Sequence, residues 1–403
     1  MTTDSASSRG PNGALDRLPP VQTFQNVLVS PAANRDSPGA AWSQFDTQVH
    51  ARLFRRGRLV CKTPALDVAP EEIREDPVIF ASVYEDHFGH LTAETVPRLP
   101  QSLAEHGDLP IIFTRMKSDT SNARSRMFRS VMDWLHIPEN QIEIIEKPTL
   151  FREVHVAAQG EHLDGPKTPP DYLELLEHRI AANLRPRTPR GVAFVTRAGL
   201  EHKMGAHAAE RYLVSCLREL GVRIVYPEVL TLREQMRIYA RAKHLVFSEG
   251  SAVHGRQLLG RIDQTISILR RRRQSNMARG QMGPRCAALT HVPCFGGALH
   301  VTNRYGAKLH YAMKSFYQID TLHAYFAELG IGLAQIWSQD KYRQIRDQDV
   351  LNWVFAMYDP QIEPWLSPAN DDAYLLDQFG PLYLGHIRDQ AAAIIKARKV
   401  AQR

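Results

Sequence analysis

Cysteine is scarce: four residues in 403, at Cys61, Cys216, Cys286 and Cys294. They form no CxxC pair and have no histidine partner at metal-ligand spacing, so a disulfide scaffold and a zinc ribbon are excluded. Thiols in strand-like and helical patterns read as core groups of a protein from a reducing compartment. No apolar run approaches the ~18 residues of a membrane span. Residues 1–20, rich in Ser, Gly, Asp and Pro, lack the basic and apolar regions of a signal peptide. A cytoplasmic protein without a transmembrane segment is expected. There is no Walker A loop and no GxGxxG, and Ser251 lacks the glycine two positions before it that a GxSxG elbow needs. The carboxylates of the candidate segments, Asp86, Asp164 and Asp263 among them, stand in no DxD pair, so no bound metal is indicated.

What is present is ordinary globular material, 43% hydrophobic and 23% charged. The length exceeds what one core usually serves, so two domains are expected. Fifty Lys and Arg against 43 Asp and Glu give a net charge of +7. So mild an excess suits phosphorylated small substrates as well as nucleic acid.

Residues 1–20 cannot bury enough apolar surface to offset ordering entropy and read as disordered. Short β-branched runs at 26–30, 58–62 and 78–82 predict strands. Residues 90–103 read as a helix that Pro97 kinks or breaks. Strands at 110–114, 142–146 and 154–158 alternate with helices at 122–135 and 172–183. The segment 184–191 (LRPRTPRG) looks like a domain boundary. Beyond it come strands at 192–196, 223–226, 245–248 and 265–269 and helices at 208–220, 232–242 and 252–259. After residue 300 only helices are legible, at 322–328, 341–357 and 385–400. The alternation predicts an α/β protein with parallel sheets and a ligand cleft at the strands' carboxyl ends.

Four constellations could carry chemistry. In residues 244–260 an apolar strand ends at Ser248, Glu249 and Gly250 turn, and Ser251 is placed to cap the next helix. Free amides at Gly250, Ser251 and Ala252 would attract phosphate, and Gly250 would let the backbone approach it closely. Any βα turn shares this form; Glu249 and His254, flanking it, strengthen the functional reading. His90, Glu94 and Arg98, spaced i, i+4, i+8, fall on one helix stripe. A histidine oriented by a carboxylate is a good base near neutral pH, whereas the bland alternative is a surface pair. Arg197, at the end of a strand, and Lys203 could neutralise a diphosphate leaving group or be solvated loop cations. Arg270, Arg271, Arg272 and Arg273 form a basic run, either solvated or a platform for an acidic glycan or anionic lipid. No nucleic-acid motif and no aromatics accompany it, so nucleic acid is not expected.

In this order, the segments resemble glycosyltransferase family 61, the DUF563-type proteins. His90, Glu94, Pro97, Arg98 and Leu99 match an early H-x-x-x-E-x-x-P-R-L segment. Phe194-Val-Thr-Arg197 matches a strand ending in arginine, and Tyr226-Pro-Glu228 a proline–acid pair. Leu230-Thr-Leu-Arg-Glu-Gln-Met236 matches L-S-x-x-E-Q-I, and residues 249–255 occupy the H-G-A-x-L-x-N turn. Glu249 stands where the family usually has histidine and Gly255 where it often has asparagine. The family's asparagine–acid pair is not clear around residues 206–210.

The resemblance implies a GT-B-like fold of two facing Rossmann-like domains. Residues 1–20 would be a tail, 21–185 an acceptor-side domain, 186–300 a nucleotide-sugar-binding domain and 301–403 a mostly helical extension. It implies an inverting, metal-independent transferase of hexose or pentose from a nucleotide-diphosphate sugar to a glycan or other hydroxyl acceptor. The donor would be a co-substrate, no cofactor would be needed, and the setting would be polysaccharide synthesis. His90 would be the base, oriented by Glu94. Arg98, Arg197, Lys203, Gln235, Glu249, Gly250, Ser251, Ala252 and His254 would bind substrate or donor, with Glu249 or His254 against ribose, sugar or phosphate. The basic run could contact lipid peripherally at the inner membrane face. The other readings are a different α/β enzyme of phosphorylated metabolites, or an inactive binding protein that kept the fold.

Overall fold

The computed structural model describes residues 17–34, 36–37, 39–41, 50, 53–61, 68–116, 124–185, 187–200, 204–303, 305–359 and 372–400. Most of the tail expected to be disordered, and Lys203, lie outside the described residues.

The first half holds strands β1 (Gln22–Val29), β2 (Ala40–Ala41), β3 (Phe54–Arg55), β4 (Arg58–Leu59), β5 (Glu72–Arg74), β6 (Val78–Val83), β7 (Ile111–Thr114), β8 (Ile142–Ile145) and β9 (Thr149–Val156). Apart from the β3–β4 hairpin they make one sheet, ordered β2-β1-β9-β6-β7-β8, with β5 on β9. β5 through β9 pair in parallel. β1, however, runs antiparallel to both β9 and β2. The expected purely parallel sheet is therefore a mixed one, as α/β sheets with an added edge strand often are. β6 and β7 are buried nearly throughout, which explains their continuous apolar runs.

The larger sheet of the second half is parallel throughout: β10 (Val192–Val195), β12 (Arg223–Val225), β13 (His244–Ser248), β14 (Ile262–Leu269) and β15 (Cys286–Val292) order as β12-β10-β13-β14-β15. Helices Glu210–Glu219 and Leu232–Arg241 make the crossovers into β12 and β13. The latter helix starts with a capping box, Thr231 accepting from the Glu234 amide while Glu234 accepts from that of Thr231. A small third sheet joins β11 (Ala206–His207), β17 (Lys314–Tyr317) and β16 (Phe295–Leu299). β17 lies within residues 301–403, where the sequence showed only helices. Those helices follow it, the longest at Gln339–Met357 and Arg388–Val400.

One hydrophobic core runs across both larger sheets. Ile79, Phe113, Trp134 and Tyr172 of the first half pack with Leu245, Phe247, Val253 and Ile266 of the second. The Trp134 indole donates to the Leu258 carbonyl at 2.9 Å. A buried ion pair also crosses the divide, Arg285 donating to Glu161 at 2.8 and 3.1 Å.

Candidate active site

A cavity of about 520 Å³ lies between the halves. Thr196 and Arg197 reach it from the carboxyl end of β10, Pro227 and Glu228 from that of β12, and Ser251 and Ala252 from beyond β13. Phe88, Arg126 and Met127 supply the opposite wall. This is where open α/β sheets bind ligands, because the loops leaving the carboxyl ends diverge there.

The segment around His90 sits directly on the turn after β13. A Cβ built on Gly89 would lie 3.3 Å from His254 Cδ2 and 3.5 Å from Ser251 Cβ, and one on Gly255 would lie 3.1 Å from Phe88 Cζ. Two stretches some 160 residues apart in the sequence thus meet at one place. His90 Nδ1 is 2.7 Å from Glu94 Oε2, and Arg55 on β3 grips the same carboxylate with two nitrogens while also pairing with Asp36. Burial opposes the Glu94 charge, but hydrogen bonds from His90 and Arg55 outweigh it and hold the carboxyl below its ordinary range. An ionised carboxylate only accepts, so Nδ1 carries the proton when the ring is neutral and Nε2 keeps its lone pair.

Arg98 leaves the stripe. The expected helix is here four pieces: an α turn at Phe88–His90, a π turn at Leu91–Thr95, a 3₁₀ turn at Val96–Arg98 and the helix Leu99–His106. The changes of pitch around Pro97 rotate Arg98 away from a uniform 3.6-residue period. Its guanidinium is buried and donates to the carbonyls of His50 and Ala157, the latter at 2.7 Å.

The turn after β13 differs from the anion cradle expected. Ser251 is already helical and its side chain makes no capping hydrogen bond. The helix it starts is one α turn, Ala252–Gly255, continued by a 3₁₀ turn, Arg256–Leu258. So short an element has little macrodipole. Gly250 makes room for a side chain: a Cβ there would lie 2.0 Å from Arg197 Nη1. Glu249, expected against ribose or sugar, is fully buried and used internally. Its Oε2 accepts from the amides of Arg271 and Arg272 at 2.7 and 3.1 Å, and its Oε1 from Arg272 Nε and Ser275 Oγ, both at 2.6 Å. Arg270 of the basic run is engaged as well, by Ser275 and Asn276, whereas Arg273 stays exposed. His254 is buried, its Nδ1 2.7 Å from Gln257 Oε1, and burial lowers its pKa. Gln257 continues to Glu161 at 3.1 Å, so the Arg285–Glu161 ion pair ends beside His254.

Arg197 lines the cavity. It donates to the Met204 carbonyl at 2.8 Å and to that of Gly205 at 2.9 and 3.1 Å. Gln235 also lines it and secures the Pro227–Val229 turn through the carbonyls of Pro227 and Leu230, at 2.8 and 3.2 Å. Sequence reasoning missed the acid beside Arg197. Glu210 accepts from the Thr196 hydroxyl at 2.6 Å, the Arg197 amide at 2.7 Å and the Ser248 hydroxyl at 2.9 Å, tying the ends of β10 and β13 together. Ala209 before it is left-handed, at φ +58°, a conformation that suits asparagine.

Also missed was a buried cationic cluster next to Arg197. Arg271 and Lys314 are 5% and 2% exposed, and beside them burial, then the charges of Arg271, Arg197 and Lys314, hold the 1%-exposed His207 well below its ordinary pKa, so its ring is neutral. Arg271 Nη1 and His207 Nε2 are buried without a hydrogen-bond partner, and Lys314 forms no ion pair among the described residues. Burial lowers the Arg271 pKa to about 9 and that of Lys314 to about 8. Tertiary pairing alone brings β17 to β11 and the end of β14 to Glu249, so no local signal marks these residues.

Residues 88–256 match the family model described as Glycosyltransferase 61. Over this region the chain is similar to glycosyltransferase family 61. The matched region opens on the His90 segment and closes just past the turn that carries His254, so it brackets both sides of the cavity. No match is found among the curated proteins. Among the described residues no helix is long and apolar enough to cross a membrane.

Proposed function

We propose that the enzyme transfers a sugar from a nucleotide-diphosphate donor to a hydroxyl of a glycan acceptor, with inversion and without a metal, on a GT-B-like frame. The observation that carries this reading is the cavity at the carboxyl ends of β10, β12 and β13, with Arg197 on its wall. Nucleotide and sugar occupy it, the base and ribose against Val229, Leu230 and Met127, an apolar stretch in which Val229 is 76% exposed. Arg197 faces the diphosphate, and Arg271 and Lys314 add positive charge behind it. Ser251 and Ala252 offer backbone amides at the same wall, and Gln235 holds the turn that carries Glu228 and Val229.

His90 is the base. Its Nε2 takes the proton of the acceptor hydroxyl as that oxygen attacks the anomeric carbon from the face opposite the leaving group. The bond to the diphosphate breaks in the same step, and the electron pair leaves on the nucleoside diphosphate, whose charge Arg197, Arg271 and Lys314 neutralise. Glu94, itself fixed by Arg55, orients the ring and stabilises the imidazolium that forms. His254 packs against Gly89 of the His90 segment.

A thermal-shift panel of uridine, guanosine, adenosine and cytidine diphosphates, each with and without an attached sugar, tests the donor class. One nucleoside diphosphate should raise the melting temperature, and Arg197→Ala should weaken its binding by calorimetry. No response to any nucleotide, or an unchanged affinity in the variant, contradicts the reading.

A further inference from the structure

At the opposite end of the second sheet two adjoining grooves, about 730 and 620 Å³, share Arg187 and Arg241. They lie at the amino ends of β10, β12 and β14, so the sheet separates them from the candidate active site. The larger is lined by Arg185, Arg187, Arg233, Arg237, Arg241 and Arg261; the smaller adds Arg190 and Arg223. The cations are arranged rather than scattered. Arg233, Arg237 and Arg241 are spaced i, i+4, i+8 along the helix Leu232–Arg241 and form one stripe. Such like-charge neighbours destabilise a helix by a few tenths of a kcal/mol per pair, and Arg233 opposes the dipole at the helix start. Arg185, Arg187 and Arg190 face them from the connection between the halves.

The acids nearby do not cancel this charge. Asp263 pairs with Lys243 at 3.0 Å, Glu177 with Arg261 at 2.6 Å and Asp133 with Arg233 at 3.7 Å. Glu234 is held by the Thr231 cap. Arg185, Arg187, Arg190, Arg223, Arg237 and Arg241 form no ion pair among the described residues. All six are exposed.

We infer that this arginine groove binds a linear acidic glycan, holding the polymer at a distance from the site of transfer. Guanidinium forks match carboxylates bidentately, and every cation here is arginine rather than lysine. The surface is concave, which suits a chain and not a planar bilayer. No aromatic side chain lines either groove, so bases have nothing to stack on and single-stranded nucleic acid is disfavoured. The choice of a glycan rests on the glycan-acceptor reading above, whereas the presence of a polyanion site does not.

The test measures binding of an oligogalacturonate to the full chain by calorimetry at two salt concentrations. A neutral oligoglucan, anionic phosphatidylglycerol vesicles and a thymidine oligonucleotide are run beside it. The oligogalacturonate should bind, more weakly at high salt. Arg237→Glu/Arg241→Glu should weaken it about tenfold or more, because reversal turns attraction into repulsion. Arg185→Glu/Arg187→Glu, outside any helix, should do the same, which separates lost contact from lost folding. The nucleoside-diphosphate thermal shift should persist in both variants, so failure of the groove and failure of the donor reading are distinguishable. Unchanged oligogalacturonate affinity in both variants overturns the proposal. So does equal binding of the neutral glycan, or tighter binding of vesicles or oligonucleotide that these substitutions abolish.

Discussion

Replacing Lys314 by methionine should make the ligand-free protein more stable and the enzyme worse. Lys314 is 2% exposed. Burial is the dominant influence on its ammonium; attraction to Asp349 and Glu210 recovers part of the loss, and the group titrates at about 8 instead of 10.5. In the unfolded chain the lysine is charged up to its ordinary pKa, so keeping it charged in the fold at pH 7 costs about 3 kcal/mol. Methionine has a similar length and no charge, so Lys314→Met should raise the unfolding free energy in urea at pH 7 by roughly that amount. The gain should shrink as pH rises from about 8 towards 10.5, because the wild-type lysine then sheds its proton on folding. With a nucleoside diphosphate present the gain should shrink, since the variant has lost one of the three charges that neutralise the ligand. A variant that is less stable at pH 7, or that binds the nucleotide as tightly, would refute the reasoning.

Other consequences are equally direct. Glu161→Ala leaves Arg285 charged and fully buried, with only the Thr168 hydroxyl and the carbonyls of Gln281, Gln257 and Leu259 as partners, and should cost about 3–5 kcal/mol in urea unfolding. A loss below about 1 kcal/mol would deny the pair that role. The Glu94 carboxylate is held below 4.5, so its contribution is present above that pH and is lost as pH falls through the depressed folded value. The stability difference between wild type and Glu94→Gln should therefore be largest above about pH 4.5 and narrow in acid; a gap independent of pH would count against an ionised Glu94.

Much of the frame was legible because local chemistry and tertiary structure agree there. β6, β7 and β13 are buried runs of β-branched and aromatic residues, and the helix Leu232–Arg241 shows clear amphipathic periodicity. β16 escaped because Gly296 and Gly297 read as breakers. β17 escaped because its four residues gain their strand character from pairing with β11 and β16. The antiparallel β1 could not be foreseen, since direction is set by a partner more than a hundred residues away. In the site, His90 and Glu94 were legible because an i, i+4 pair stays on one face through a single turn. Arg98 was not, because the π and 3₁₀ turns around Pro97 change the period. Glu249 was misread for a related reason: its four donors come from residues 271–275, and a carboxylate so fully supplied has little left for a ligand. The arginine groove was visible only in fragments, as a linker and as an amphipathic helix.

The central claim is that transfer occurs where the His90 segment meets the turn after β13, with His90 as base. The measurement that tests it most directly is sugar transfer by His90→Ala, run beside calorimetry of the same protein with the nucleoside diphosphate that stabilises the wild type. The account predicts loss of transfer by about a hundredfold or more with nucleotide affinity nearly unchanged. Wild-type turnover in the variant would contradict it.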